Sequence, residues 1–178
     1  MITNNLSLRL IRSEKIVDKL ILSLASFLAV SGGIILILMV FVNIFSIIGR
    51  VVFGTPLVGD FELIETACGV SIFMFLPICK WKNGNIIVDT FTLNLSQKKQ
   101  LFLDLFGDLL FGFIALFFSI RMVFGLLDMF RYNEQTMLLE IPVWVPFGPA
   151  ILSLFFLSII CFYMGFNKLF TILCVKDS

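Results

Sequence analysis

Apolar residues along the chain gather into four long runs separated by short polar or charged segments. The runs cover about residues 20–49, 61–79, 101–127 and 143–166. A helix needs about 20 apolar residues to cross a hydrocarbon core of roughly 30 Å, and each run approaches or exceeds that length. The pattern therefore predicts an all-α membrane protein with four transmembrane helices, in a single domain that covers residues 1–178.

The first run is longer than one crossing requires. No charged residue lies between Lys19 and Arg50, so a continuous helix there is about 45 Å long at roughly 1.5 Å per residue. Such a helix must tilt, bend near Gly32-Gly33, or emerge from the bilayer. The run is also too long for a cleavable signal peptide, and we expect it to remain in the membrane.

Two segments outside the runs are too apolar for free loops. Before the first run, Leu6, Leu10, Val17 and Ile21 fall on one helical face and the basic residues fall off it. This predicts an amphipathic helix in the membrane interface, although a basic tail that only sets topology fits as well. Between the second and third runs, residues 83–96 predict a turn and then a short in-plane segment, with Asp89 as a candidate cap.

Basic residues are distributed unevenly between the two ends of the runs. Cytoplasmic loops of membrane proteins carry an excess of Lys and Arg. This rule places both termini and the 80–99 loop in the cytoplasm. One side holds Arg9, Arg12, Lys15, Lys19, Lys80, Lys82, Lys98, Lys99, Lys168 and Lys176, and the other holds only Arg50, Arg121 and Arg131.

Composition excludes several function classes. The chain is 60% hydrophobic, only 14% charged, and carries a net charge of +1, which argues against nucleic-acid binding. It has no histidine, so bis-His haem and most zinc sites are ruled out. Its four cysteines form no C-x-x-C pair, which counts against a disulfide-generating enzyme. We expect no cofactor, no metal and no enzymatic activity.

Charged residues cluster where the second run begins. Glu62 lies at the edge of the run and Glu65 about one turn deeper, roughly 5 Å, while Arg50 leaves the first run at the same level. Neither acid reaches the middle of the membrane, where a proton carrier is most effective. We predict that Arg50 pairs with Glu62, with Glu65, or with a partner subunit.

Asp108 is the strongest candidate for a buried carboxylate. It lies some 12–14 Å past Lys99 at helical rise, on the same helix face as Asp104. An acid at that depth should face protein rather than lipid. Because its own span carries no cation that we could assign to it, we predict a partner on another chain, a polar group on another helix, or a protonated carboxyl. Asn43 and Ser46 in the first run are able to hydrogen-bond across helices.

Three motifs in order indicate a family. The pattern R-V-V-F-G-x-P-L-x-x-x-x-E-L follows the first run, K-N-G-N-I-I-V-D follows the second, and E-Q-T-M-L-L-E-I-P-V-W-V-P precedes the fourth. Together they resemble the small membrane subunit, of DctQ type, of tripartite ATP-independent periplasmic (TRAP) transporters, over about residues 35–165. The family often has a histidine where this chain has Asn85, and a tryptophan where Val58 stands.

The resemblance implies a helper subunit in a bacterial inner membrane. In the family, a large membrane subunit holds the sodium and organic-acid sites and works as an elevator. A periplasmic binding protein delivers substrates such as C4-dicarboxylates or sialic acids. The small subunit braces the large one. The resemblance assigns structural or subunit-interface roles, and no substrate site, to Arg50, Glu62, Gly84, Asp89, Glu140, Ile141, Pro142 and Trp144.

An autonomous exporter is the alternative. A dimeric four-helix protein of the small multidrug-resistance kind uses a membrane glutamate as its proton carrier, and Glu65 is the candidate here. The first run carries no acid and Glu65 lies near a membrane edge, so we prefer the helper subunit.

Overall fold

Four α-helices form almost all of the described chain. The structure is a computed structural model that describes residues 2–54, 58–82 and 97–176, with side chains at 16–54, 58–82 and 102–169. Each helix contains a segment long and apolar enough to cross a membrane, which confirms the predicted fold class. The predicted in-plane segment and Asp89 lie outside the described residues. The helices are α1 (Ile2–Phe53), α2 (Asp60–Trp81), α3 (Gln97–Tyr132) and α4 (Trp144–Lys176).

Helix α1 continues without interruption through Gly32-Gly33. Its apolar part, Ile16–Phe53, has 38 residues and is about 57 Å long at roughly 1.5 Å per residue. Tilting or emergence from the bilayer therefore accommodates its length. The residues of the predicted interfacial helix form the first part of this same helix.

Gly32 is the point of close approach between α1 and α2. A Cβ atom there would lie 3.2 Å from the Cβ of Met74, and the Ser71 hydroxyl donates a hydrogen bond of 3.2 Å to the Gly32 carbonyl. Small residues at helix contacts in membranes allow backbones to come this close. A bend near Gly32-Gly33 was one of three alternatives for α1, and Gly32 instead forms a close contact with α2.

The helices lie in a row rather than in a closed bundle. Extensive packing joins α1 to α2, α2 to α4, and α4 to α3, so the order across the molecule is α1–α2–α4–α3. Helix α4 is the most buried and α1 the least. The core lies where α2, α3 and α4 meet, around Ala115, Leu154, Leu157 and Cys161.

Serine hydroxyls connect neighbouring helices inside the row. Ser153 on α4 donates to the carbonyl of Phe73 on α2, and Ser119 on α3 donates to the carbonyl of Ile151 on α4 at 3.4 Å. A hydroxyl in hydrocarbon needs such an acceptor because water is absent there. These bonds fix the register of the helices along the row.

Candidate functional site

At the end of the molecule that the Lys and Arg distribution predicts to face outward, hydrogen bonds join α2 to the loop between α3 and α4. Glu62 accepts two backbone hydrogen bonds from that loop, at Oε1 from the N–H of Leu138 (3.0 Å) and at Oε2 from the N–H of Leu139 (3.2 Å). We call Gly59, Glu62, Thr136, Leu138 and Leu139 the outer clasp. It brings together the first and third of the motifs that indicate the family.

Gly59, which immediately precedes α2, packs against Leu139 of the loop. Its φ of +82° lies in the left-handed region, which residues with a Cβ adopt at a cost. A Cβ atom at this position would also overlap the Leu139 side chain. Its carbonyl accepts the first bond of α2, from the N–H of Leu63. Position 59 therefore requires glycine for two reasons: the backbone is left-handed there, and the Leu139 side chain leaves no room for a Cβ atom.

The loop itself is folded by its own hydrogen bonds. Thr136 donates from its N–H to the Ile141 carbonyl (3.0 Å) and accepts at Oγ1 from the N–H of Ile141 (3.2 Å). Gln135 and Pro142 form an antiparallel bridge, with Glu140 between them at a φ of 53°. Trp144 then begins α4. Its ring meets Phe130 of α3 edge to face, with centroids 5.7 Å apart.

Arg50 does not take part in the outer clasp. It is exposed, and the ion pairs of the described residues do not include it. Arg50 pairs with neither Glu62 nor Glu65 among the described residues, and Glu62 instead accepts the two loop amides. Asp60 instead links α1 to α2, since its Oδ2 accepts a bond of 2.5 Å from the hydroxyl of Ser46. A contact of Arg50 with a partner subunit stays a prediction.

Glu65 lies on the exposed side of α2, at the rim of an apolar cleft of about 230 Å³ between α2, α3 and α4. It forms no ion pair with the described residues. Transporters build their substrate sites from several polar groups that converge near the middle of the membrane. Glu65 is exposed and lines a mostly apolar cleft, so it does not form such a site.

The opposite end contains a buried ion cluster. Asp108 is 4% exposed, with Oδ1 2.6 Å from Lys80 Nζ and Oδ2 2.9 Å from Lys168 Nζ. The second contact is close but not aligned as a hydrogen bond. Lys168 also lies 3.9 Å from Asp104. We call Lys80, Asp104, Asp108 and Lys168 the inner ion cluster.

The inner ion cluster changes the interpretation of Asp108. Lys80 and Lys168 follow the second and fourth apolar runs, and both were predicted to lie in the flanking segments. Helices α2 and α4 extend past the predicted ends and include both lysines. Their ammonium groups lie beside the carboxylate of Asp108, so the premise that no cation of this chain reaches Asp108 is corrected.

Aromatic and polar contacts tie α1 to this end as well. The Tyr163 hydroxyl on α4 donates a bond of 2.8 Å to Asp18 of α1, and its ring stacks on Trp81 of α2 at 6.3 Å. Each of the four helices is therefore linked to at least one other helix at this end. No group of three or more metal-ligating residues occurs in the described part of the chain.

We predict that Glu62→Ala loosens the outer loop without unfolding the helices. The amides of Leu138 and Leu139 lose their acceptors, so their hydrogen exchange should accelerate several-fold. Exchange measured by mass spectrometry on peptides from residues 133–143 tests this. Glu65→Ala, one turn deeper and outside the clasp, is the matched control. Equal protection in both variants would contradict the role of Glu62.

Comparison with known families identifies one family that matches most of the chain. Residues 36–171, well over half of the chain, match the family described as tripartite ATP-independent periplasmic transporters, DctQ component. No curated protein and no solved structure is significantly similar to the chain. The match covers the second half of the first membrane-crossing segment, the other three segments, and both halves of the outer clasp.

Proposed function

Because the chain belongs to the DctQ family, the small membrane subunits of TRAP transporters, we propose that it braces the large membrane subunit of a sodium-driven uptake system for organic acids, of the C4-dicarboxylate or sialic-acid class. Its partners are that large subunit, in a stable heterodimer, and a periplasmic binding protein, in transient contact. The family is one of transporter components and not of enzymes.

The observation that carries this proposal is that polar interactions join the helices at both ends of the molecule. The inner ion cluster joins α2, α3 and α4, and the outer clasp joins α2 to the loop between α3 and α4. Three serine hydroxyls, those of Ser71, Ser119 and Ser153, also donate hydrogen bonds from one helix to another. All four helices expose large apolar side chains, which suits contact with another membrane protein. Arg50, Glu65, Pro142 and Trp144 fit a role in shaping these ends and the subunit interface.

The membrane sidedness that we propose puts the outer clasp in the periplasm and both termini in the cytoplasm. It rests on the distribution of Lys and Arg. Under this orientation Asp128, Glu134 and Glu140 contribute to an acidic periplasmic rim near the loop, where a binding protein docks electrostatically. The location is the bacterial inner membrane.

The alternative, an autonomous exporter, has less support. Its proton carrier Glu65 lies on an exposed surface in the first turns of α2, and the clefts that line α2 are apolar. A proton-coupled carrier needs its carboxylate inside a cavity that opens to each side in turn.

Reconstitution separates the two functions. We expect proteoliposomes that hold this chain alone to transport no organic acid and to export no cationic dye. Adding the large subunit and the binding protein should produce sodium-dependent uptake, measured with radiolabelled C4-dicarboxylate and sialic acid. Export by the chain alone that is lost in Glu65→Gln would contradict the brace. A stable, monodisperse homodimer that does not bind the large subunit would also contradict the proposed bracing role.

A further inference from the structure

An apolar cleft in the membrane-spanning part of the molecule has a carboxylate at one end. The cleft encloses about 230 Å³ between α2, α3 and α4, and Glu65 lies at its rim. We propose that this cleft binds an acyl chain of a phospholipid whose headgroup carries a primary ammonium group, as in phosphatidylethanolamine, and that Glu65 binds the ammonium. The inference goes beyond the bracing role and does not depend on it.

The cleft has the direction and nearly the length of one lipid leaflet. It follows α2 from Glu65 to Phe73 and α4 from Val143 to Ala150. Glu65 and Phe73 are eight positions apart in the sequence, which corresponds to about 12 Å at roughly 1.5 Å per residue. The hydrocarbon of one leaflet is roughly 15 Å deep, half of a core of about 30 Å. An acyl chain that runs parallel to the helices therefore fits along the cleft.

Gly69 provides open space in the cleft. It is one of the lining residues, and a Cβ atom at this position would meet nothing within 4 Å. An empty space of this kind would deprive its apolar lining of contacts, and water does not fill it because water is absent from the hydrocarbon. Lipid chains surround the helices before any other protein binds them. They are therefore the first occupant that such a cleft meets.

The carboxylate of Glu65 selects among lipids by charge. It is exposed, and it forms neither an ion pair nor a hydrogen bond with the described residues. Glu62, one turn nearer the end of α2, is already bound to loop amides. An unpaired charge inside the span is costly, and the N–H donors of an ammonium group compensate it. Choline has no N–H and phosphatidylglycerol has no cation, so both match the site less well.

Lipid retention measured by native mass spectrometry tests this selectivity. The full chain is released from nanodiscs that contain equal amounts of phosphatidylethanolamine, phosphatidylcholine and phosphatidylglycerol. We expect phosphatidylethanolamine to be retained about tenfold over either of the others, the factor that one hydrogen bond to a charged group provides. Glu65→Gln should reduce this preference to about twofold or less, whereas Asp128→Asn, an exposed carboxylate outside the cleft, should preserve it. Equal retention of the three lipids by the unaltered protein would overturn the inference.

Filling the cleft provides a separate measurement. Gly69→Leu places a side chain in the open space and leaves Glu65 unchanged, so the retention of phosphatidylethanolamine should fall several-fold. Gly125→Leu is the matched control, because a Cβ atom at Gly125 also meets nothing within 4 Å and this residue does not line the cleft. If both leucine variants retained as much phosphatidylethanolamine as the unaltered protein, the cleft would not be the binding site.

Carbodiimide coupling identifies the group that lies beside Glu65. The reagent condenses a carboxylate with a primary amine to form an amide, and it takes up the released water to become a urea. In the complex with the large subunit, in nanodiscs that contain phosphatidylethanolamine, we expect the Glu65 peptide to gain the mass of this lipid less water. Coupling of Glu65 to a lysine of the large subunit, with no lipid adduct, would overturn the inference and leave the bracing role intact.

Discussion

Replacing Asp108 with alanine should lower the free energy of unfolding by about 3 kcal/mol or more, the largest effect that we expect from one substitution. Removal of one partner of a buried ion pair leaves the other charge without compensation. Here Lys80, whose side chain is only 10% exposed, would lose the carboxylate 2.6 Å away. The neighbouring Phe111 ring, 5.7 Å from its Nζ, offers a much weaker interaction.

The measurement is unfolding in mixed detergent micelles, followed by the fluorescence of Trp81. That residue adjoins Lys80 and stacks on Tyr163, so it reports on this end of the molecule. Asp104→Ala is the matched control. It lies one turn away on the same helix, its side chain is 35% exposed, and its distance of 3.9 Å to Lys168 predicts a loss below about 1 kcal/mol.

A charge-free pair should recover much of the loss. In Asp108→Leu combined with Lys80→Met, no buried charge between α2 and α3 remains unpaired, and apolar replacements of ion pairs are often neutral or stabilising. Lys168 is 24% exposed and can turn towards water. If Asp108→Ala costs no more than Asp104→Ala, the inner ion cluster does not stabilise the fold.

The second large effect is expected at Gly59. We predict that Gly59→Ala lowers the free energy of unfolding by about 2–4 kcal/mol. The left-handed conformation costs a residue with a Cβ about 1–2 kcal/mol, and the overlap with Leu139 adds about 1–2 kcal/mol of overpacking. Thermal unfolding followed by the fluorescence of Trp144, next to the outer loop, measures the change.

Gly54 is a natural control for this prediction. Its φ is +71°, close to that of Gly59, but a Cβ atom there meets nothing within 4 Å. Gly54→Ala should therefore show the conformational cost alone, about 1–2 kcal/mol. In a Leu139→Ala background, the difference between the two glycine substitutions should shrink, because the overlap is gone. If Gly59→Ala were as stable as Gly54→Ala, the Leu139 side chain would move aside without measurable cost, and the predicted overpacking would be absent.

The helices were predictable because their signal is local. Four apolar runs predict four spanning helices, and α2 begins at Asp60 within one residue of the expected start. The ends of α2 and α4 were placed too early, since a lysine after an apolar run is typical of a flank. A lysine side chain reaches several ångströms back along its helix, so the ammonium groups of Lys80 and Lys168 return to Asp108.

The outer clasp could not be derived from residue types. Glu62 binds backbone amides 76 and 77 positions away, and an amide N–H is the same whatever the side chain. The signal available in the sequence was the pair of family motifs that contain the two halves. Arg50 was the obvious partner by charge, but surface ion pairs contribute little, and two charge-assisted hydrogen bonds occupy the carboxylate more completely.

The order of helices in the row has a consequence for how the protein is made. Synthesis delivers the helices from the N-terminus onward, yet α3 packs most extensively on α4, which follows it. When α3 enters the bilayer, Asp108 meets Lys80 of α2 and lacks Lys168. The second cation arrives only when the ribosome has completed α4. In a nascent chain stopped after residue 132, Asp108 would have Lys80 as its counter-ion but not Lys168. Insertion of α4 is therefore the step that completes the packing of α3.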